Sequence, residues 1–487
     1  MRHLAGSRRK QGGKTMKPLD ILRGLYVRSP PFVRQAAKPL VALVPTSLKF
    51  GKTYARERAR IARAAGDPHF AHEQHLAALR ALIAKAHDGS PFYRALIDKA
   101  FGPGFDASAF TPADLRRLPV LGKDQLREAG EAALAVPRWQ LDKAETSGSN
   151  LAPPFTFFLD KDRSPREMAF VYDVWSRAGF SEKDARASLR GFHLEGGETS
   201  LHDWDPALRE LKLAVFPMGT AEVSAYLDEI DRRKIRFLYG YPSAIELLCR
   251  RMRQLGGTPR AGIAGILPIS EPLYDHQRAL IRSVLGNVAF GVFYGLSEKV
   301  AFAAEVPGED GLYEFNPLYG VAELVDKKGE PVTEPGREGR IVGTGFLSTG
   351  MPFIRYDTGD FGRLVELPTP GNGQRLRIRA LAPRRKPDFL ISFDGQRVVT
   401  VDLTPEDPAL FEGIAEIQFY QDAPGEVLIR YILDREGSLS DIERLCLYLT
   451  EKCRGKLAFR LEEVSRLVAG RGGKRAFVDQ RLDVTRY

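Results

Sequence analysis

Four short polar stretches of this 487-residue chain combine residue types that could do chemistry. The first is Glu145-Thr146-Ser147-Gly148-Ser149-Asn150, followed by the apolar run 155–159. A glycine lets backbone N–H groups converge on an anion, and the flanking hydroxyls add donors for phosphate oxygens. No lysine stands at the Walker position, so this is not the phosphate loop of the common nucleotide hydrolases. The second is Phe293-Tyr294-Gly295-Leu296-Ser297-Glu298, closing an apolar run. A tyrosine at a strand end offers a flat face to a purine, and a carboxylate four residues on could hold Mg2+ beside phosphates. The third is Pro352-Phe353-Ile354-Arg355-Tyr356-Asp357-Thr358-Gly359-Asp360, where an aspartate after a tight glycine turn could accept hydrogen bonds from two ribose hydroxyls. The fourth is Gly472-Gly473-Lys474-Arg475, a flexible loop able to deliver one ammonium into a cleft. Each has a plainer counterpart: an ordinary turn, a solvated glutamate, an Arg355–Asp360 ion pair, a basic surface loop.

These stretches need elements to position them. Apolar residues recur at helical spacing over 72–99, and 111–129 reads as helix, break and second helix, with Thr111 capping before Pro112 and Asp114. From about 140 to 365, strand-like runs (155–159, 237–240, 265–269, 288–294, 321–325, 339–344) alternate with helical patterns (165–178, 221–233, 243–254, 273–285). That alternation predicts α/β layers with a substantial sheet. A Pro/Gly-rich turn spans 367–374. Beyond it, 414–421, 426–434, 441–453 and 457–464 read as strand, strand, helix, strand, a compact α+β unit. The expected division is a basic arm over 1–65, a large domain over 66–384, and a hinge with a small C-terminal domain over 385–487.

Composition excludes some classes. Hydrophobic residues at 43% with 28% charged are ordinary for a soluble globular protein. The apolar run 40–44 is far shorter than the ~20 residues of a membrane span. No secretory signal is evident, so the cytosol is the expected compartment. Cys249, Cys446 and Cys453 lack metal-ligand spacing and read as reduced core residues. The charge is uneven: residues 1–65 carry 16 Lys and Arg against Asp20 and Glu57, a balance of +14 in a chain of net +10. The arm could be a solvated extension packed partly on the body, or could touch a partner or the inner face of the membrane. Nucleic acid is the weakest partner class, since no nucleic-acid motif accompanies the charge.

The order and distances of the four stretches say more than any one of them. The chain resembles the adenylate-forming superfamily, in its phenylacetate–CoA ligase-like branch, which includes capsule-polysaccharide biosynthesis proteins. The resemblance runs from about Lys49 to Val478. It is carried by Lys49-Phe50-Gly51-Lys52-Thr53-Tyr54, Ser90-Pro91-Phe92-Tyr93-Arg94, Leu118-Pro119-Val120-Leu121-Gly122-Lys123, Gly240-Tyr241-Pro242-Ser243, Ile269-Ser270-Glu271-Pro272-Leu273, the 294–298 run and the block 343–360. It implies a large N-terminal adenylate-forming domain of layered sheets and helices plus a small C-terminal α+β domain. The implied activity is ATP-dependent activation of a carboxylic acid, with Mg2+, and transfer to CoA, a carrier-protein thiol or a sugar acceptor.

Residue by residue, the resemblance assigns phosphate binding to Thr146, Ser147, Gly148 and Ser149. It assigns the adenine pocket to Ser270, Glu271 and Pro272 with Tyr294 and Gly295. Ser297 and Glu298 end the Tyr-Gly-x-Ser/Thr-Glu motif, with Glu298 the Mg2+-associated acid, and Asp360 is the ribose-binding aspartate. Arg385, also implicated in catalysis, and Asp388 match the interdomain hinge. Lys474 matches the lysine that meets the reacting carboxylate and the α-phosphate. In the phosphate loop, Asn150 and Leu151 stand where the family has Thr-Gly. This keeps a second reading open: a nucleotide-binding relative that serves as a scaffold in a glycan pathway.

Overall fold

A computed structural model describes residues 46–145, 155–190, 194, 200–215, 218–260, 262–382, 389–403, 410, 413–433, 437–465, 467 and 478–484. Helix α1 (Thr46–Gly66) covers the end of the basic arm and packs on α5 (Arg163–Arg177), with α2 (Pro68–Gly89), α3 (Pro91–Phe101) and α4 (Lys123–Ala129) between them in the chain. Tyr54 of α1 is buried and donates to Glu182, and Arg58 pairs with Asp173 at 3.0 Å. The described end of the arm is therefore built into the body. Asp67 accepts the Phe70 N–H at 2.9 Å and Pro68 follows it, so α2 starts where an acceptor meets an otherwise orphaned donor. Ser90 and Pro91 repeat the device for α3. The expected apolar stripe is present: Leu79, Leu82, Ile83 and Ala86 are fully buried. Thr111 and Asp114 do cap the next turn, Pro112–Arg117, but it is a 3₁₀-helix.

His75 lies on the same stripe, 1% exposed, with Nδ1 2.8 Å from the Pro317 carbonyl. Its Nε2 has no hydrogen-bond partner among the described residues. Burial drives its pKa down from 6.5 to about 4. The unfolded chain therefore takes up this proton first as pH falls. The stability His75 contributes is full above pH 6.5, declines between 6.5 and 4, and is gone below 4. The span amounts to ~3 kcal/mol. His75→Asn, whose amide can still donate to the Pro317 carbonyl, should unfold in urea with less loss of stability between pH 7.5 and 5 than the wild type. Identical pH dependence of the two would contradict the assignment.

After the hairpin β1 (Leu141–Glu145) and β2 (Thr156–Asp160), strands β3 (Arg186–Leu189), β4 (His202–Asp205), β5 (Glu210–Leu213), β6 (Phe237–Gly240), β7 (Gly265–Pro268) and β8 (Ala289–Phe290) form a six-stranded sheet. Its order is β4-β5-β3-β6-β7-β8, parallel apart from the β4–β5 pair. Helices α6 (Thr220–Arg232), α7 (Pro242–Leu255) and α8 (Asp275–Leu285) are its crossovers. The chain then passes into a second sheet of seven antiparallel strands. These are β9 (Phe293–Gly295), β10 (Phe302–Glu305), β11 (Tyr313–Phe315), β12 (Gly320–Val325), β13 (Glu338–Gly345), β14 (Tyr356–Glu366) and β15 (Arg377–Ala382), in the order β12-β13-β14-β15-β11-β10-β9. The run expected as one strand over 288–294 is thus divided between two sheets. Gly291 sits at the crossing, where a Cβ would lie 3.2–3.4 Å from Leu267, Ala178 and Trp175.

The C-terminal unit holds the β16 (Phe389–Ile391) and β17 (Arg397–Val399) hairpin and a four-stranded sheet. That sheet comprises β18 (Ile414–Ala423), β19 (Glu426–Leu433), β20 (Ala458–Glu463) and β21 (Val478–Gln480), with α9 (Leu439–Cys453) against it. Leu390, Phe419, Ile429, Leu445, Leu449 and Cys453 belong to a hydrophobic cluster of its own. The expected strand, strand, helix, strand order is present. Cys249 and Cys453 are buried, Cys446 is partly so, and all three are free thiols. Burial pushes the Cys249 and Cys453 thiols up to about 12. No described helix is long and apolar enough to cross a membrane.

Candidate active site

Residues far apart in sequence meet at the turn after β9. The Tyr294 hydroxyl donates to Asp360 Oδ2 at 2.8 Å, and the Tyr356 hydroxyl donates to Glu298 Oε1 at 2.6 Å. Two stretches that spacing alone could not join therefore form one polar cluster. Glu298 is 4% exposed and Tyr356 is fully buried, whereas Gly295 and Ser297 are exposed. Burial, and then the neighbouring carboxylate, raise both phenols well above the ordinary tyrosine value, so each remains a neutral donor. Lys123, at the start of α4, brings its ammonium to 3.6 Å from Glu298. Its segment is held to β14 by two backbone bonds, Leu121 N–H to the Arg355 carbonyl at 2.9 Å and Asp357 N–H to the Leu121 carbonyl at 2.8 Å.

Local sequence explains why the turn sits there. On β13, a Cβ at Gly343 would meet Val300 at 3.0 Å, and one at Gly345 would lie 2.6 Å from the Lys299 carbonyl oxygen. Those glycines let the Glu298–Val300 backbone lie flat on the strand. Gly359 takes φ +79 inside β14, and the Thr358 hydroxyl accepts the Asp360 N–H at 3.1 Å, so the strand kinks at the residue that presents Asp360.

Arg355 does not pair with Asp360. It is 3% exposed, bridges to Glu323 at 3.2 Å, and donates to the carbonyls of Leu118 at 2.7 Å and Gly329 at 3.3 Å. It ties the 116–118 segment to β12 and β14. Asp357 pairs with Arg340 at 2.6 Å. The Ser348-Thr349-Gly350 turn is stapled to β2 by Asp160, which accepts the Thr349 and Gly350 N–H groups at 3.1 and 2.9 Å. That fixes the far end of the hairpin whose connection carries residues 146–149.

Ser270, Glu271 and Pro272 follow β7 at the carboxyl end of the parallel strands, where ligands bind open α/β sheets. Ser270 is exposed with φ +66, Pro272 is partly buried, and Glu271 turns its carboxylate toward α7. Burial raises the Glu271 carboxyl above the usual carboxylate range. Thr146, Ser147, Gly148 and Ser149, the hinge pair Arg385 and Asp388, and Lys474 lie outside the described residues. Tyr239 on β6 accepts from Arg190 at 2.8 Å and packs beside Trp175.

Among the described residues no three His, Cys, Asp or Glu side chains gather as a metal cluster. The Glu298 carboxylate is an oxygen donor of the kind that would hold Mg2+, which keeps several waters and is bound by one or two carboxylates together with substrate phosphates. Lys123 and Tyr356 are not singled out by spacing, but both stand in stretches that carry the family resemblance.

No protein-family model matches the chain. Among curated proteins, Protein CapK of Staphylococcus aureus is 23% identical over 397 residues, spanning 80% of this chain and 84% of the relative. Phenylacetate-coenzyme A ligase of Thermus thermophilus is 27% identical over 289 residues, spanning 58% of this chain and 63% of that enzyme. The Escherichia coli enzyme of the same name is 26% identical, spanning 64% and 70%. A solved structure of 2-hydroxyisobutyryl-CoA ligase in the postadenylation state with R3-HIB-AMP superposes with TM-score 0.50 at 18% identity, covering 85% of this chain and 90% of that one. This chain is a relative of the acid–CoA ligases and has the adenylate-forming fold. Its mixed layers and small C-terminal α+β unit are those of that fold.

Proposed function

We propose that the protein is an adenylate-forming ligase that activates a carboxylic acid with ATP and transfers the acyl group to CoA or another acceptor. The observation that supports it best is the meeting of Tyr294 with Asp360 and of Tyr356 with Glu298. In this reading Asp360 accepts the ribose hydroxyls, and Ser270 to Pro272 with Tyr294 and Gly295 form the adenine side. Residues 146–149 hold the phosphates. A substrate carboxylate oxygen attacks the α-phosphorus, the bond from that phosphorus to the α,β-bridging oxygen breaks, and pyrophosphate leaves. Both reactants are anionic, so the chain must align them and offset charge. Lys474 brings its ammonium to the reacting carboxylate and α-phosphate, and Glu298 would hold Mg2+, which supplies further positive charge at the phosphates. The acceptor then attacks the acyl carbonyl and AMP leaves. Motion of the C-terminal domain about Arg385 and Asp388 would exchange the faces that serve the two steps.

The acceptor is CoA, by analogy with the phenylacetate-coenzyme A ligases and with 2-hydroxyisobutyryl-CoA ligase. A carrier-protein thiol or a sugar amine or hydroxyl in polysaccharide biosynthesis is the alternative acceptor, suggested by the capsule-type resemblance. Cytosolic placement, with the basic arm reaching a partner or the inner membrane face, completes the proposal.

Asp360→Ala should weaken ATP binding roughly 10- to 100-fold, because hydrogen bonds to a charged group are each worth about 1.5–3 kcal/mol net. Calorimetric titration with ATP checks this; an unaltered affinity would count against the ribose role. Carboxylate-dependent ATP–pyrophosphate exchange tests the activity itself.

A further inference from the structure

The segment after β7 has an anchor that its resemblance-based role does not explain. One Glu271 oxygen accepts the backbone N–H of Ser243 at 3.0 Å, and the other accepts the Ser243 hydroxyl at 3.0 Å. Ser243 is the second residue of α7, so the carboxylate satisfies one of the N–H groups a helix start leaves unpaired. Immediately before it, Ser270 is exposed in the left-handed region at φ +66, which residues with a Cβ enter only when their surroundings hold them there. The surroundings do so from both sides. The Ile269 N–H bonds the Gly240 carbonyl at 3.0 Å. Gln277 accepts the Tyr274 N–H at 3.0 Å and donates to Glu246 of α7 at 2.9 Å. Residues 269–274 are thus suspended between β7 and α8 and pinned to α7, with Glu271 as the pin beside the strained residue.

We propose that Glu271 is a positioning residue: it grips the start of α7 and thereby keeps Ser270 and the adenine-side wall in a nucleotide-ready shape. Its carboxylate acts by geometry and not by charge toward the ligand. This rests on the reading of that wall as a nucleotide site. A glutamine can make the same two contacts, its oxygen accepting the Ser243 N–H and its amide donating to the hydroxyl.

The test uses the full chain with Glu271→Ala, Glu271→Gln and Ser243→Ala, titrated with ATP and assayed for exchange. Glu271→Ala should raise both the Kd and the KM for ATP roughly tenfold while kcat at saturating ATP falls less than twofold, a loss of uniform binding. Ser243→Ala, which deletes one contact, should raise them about threefold, and Glu271→Gln should restore near wild-type affinity. Glu271→Gln as weak as Glu271→Ala would overturn the proposal, since charge or direct ligand contact would then be required. Equal ATP affinity in the wild type, Glu271→Gln and Ser243→Ala would overturn it even if Glu271→Ala fails to fold. A wild type that binds no nucleotide would overturn this inference together with the reading beneath it.

Discussion

Glu298→Gln is expected to lower carboxylate-dependent ATP–pyrophosphate exchange about 100- to 1,000-fold, the usual loss when one preorganised charge-stabilising group is removed. The substitution keeps the side chain's shape, and the amide oxygen can still accept the Tyr356 hydroxyl that now lies 2.6 Å from the carboxylate. What disappears is the negative charge that would hold Mg2+ and that balances Lys123 at 3.6 Å. The fold should survive, since Glu298 lies in a turn whose backbone is shaped by Gly343 and Gly345. Exchange rates at saturating Mg2+, with the thermal midpoint as a control for folding, decide the matter. Activity within threefold of wild type would remove Glu298 from the chemistry.

Lys474→Ala is expected to lower adenylation at least 100-fold while sparing the second half-reaction. The lysine is assigned to the reacting carboxylate and α-phosphate, so its charge matters where two anions approach. Once the acyl-adenylate exists, that repulsion is gone. Supplying a chemically made acyl-adenylate with CoA should therefore give thioester within a few-fold of the wild-type rate. Equal damage to both half-reactions, or to neither, would mean that a different residue serves the carboxylate.

Much of the scaffold was legible because it repeats simple patterns. Strand β6 follows the apolar run 237–240, and α6, α7 and α8 each fall within two residues of their helical periodicity; α6 buries Val223, Tyr226 and Ile230 and α7 buries Ile245, Leu248 and Met252 at that spacing. Strand β14 was not legible as a strand. Its sequence, Tyr-Asp-Thr-Gly-Asp-Phe-Gly-Arg-Leu-Val-Glu, spends its first residues on the site, and the polar groups and glycines break the alternation. The same stretch announced itself as chemistry for that reason. Partnerships were less visible than residues. Arg355 and Asp360 are neighbours in sequence, yet Arg355 is captured by Glu323 and by carbonyls more than 200 residues upstream. Glu271 faces Ser243, 28 residues back, for a similar reason: the parallel sheet brings the ends of β6 and β7 side by side. Tyr356 and Lys123 acquire meaning only once β14 and the 118–123 segment pair through their backbones.

Acyl-adenylate formation at the Tyr294–Asp360 and Tyr356–Glu298 cluster can be tested without knowing the acceptor. The most direct measurement is incorporation of labelled pyrophosphate into ATP by the full chain, over a panel of aryl, fatty, hydroxy and amino acids. Exchange should depend on at least one acid, require Mg2+, and be lost in Glu298→Gln. Measurable ATP binding with no exchange for any acid would contradict it.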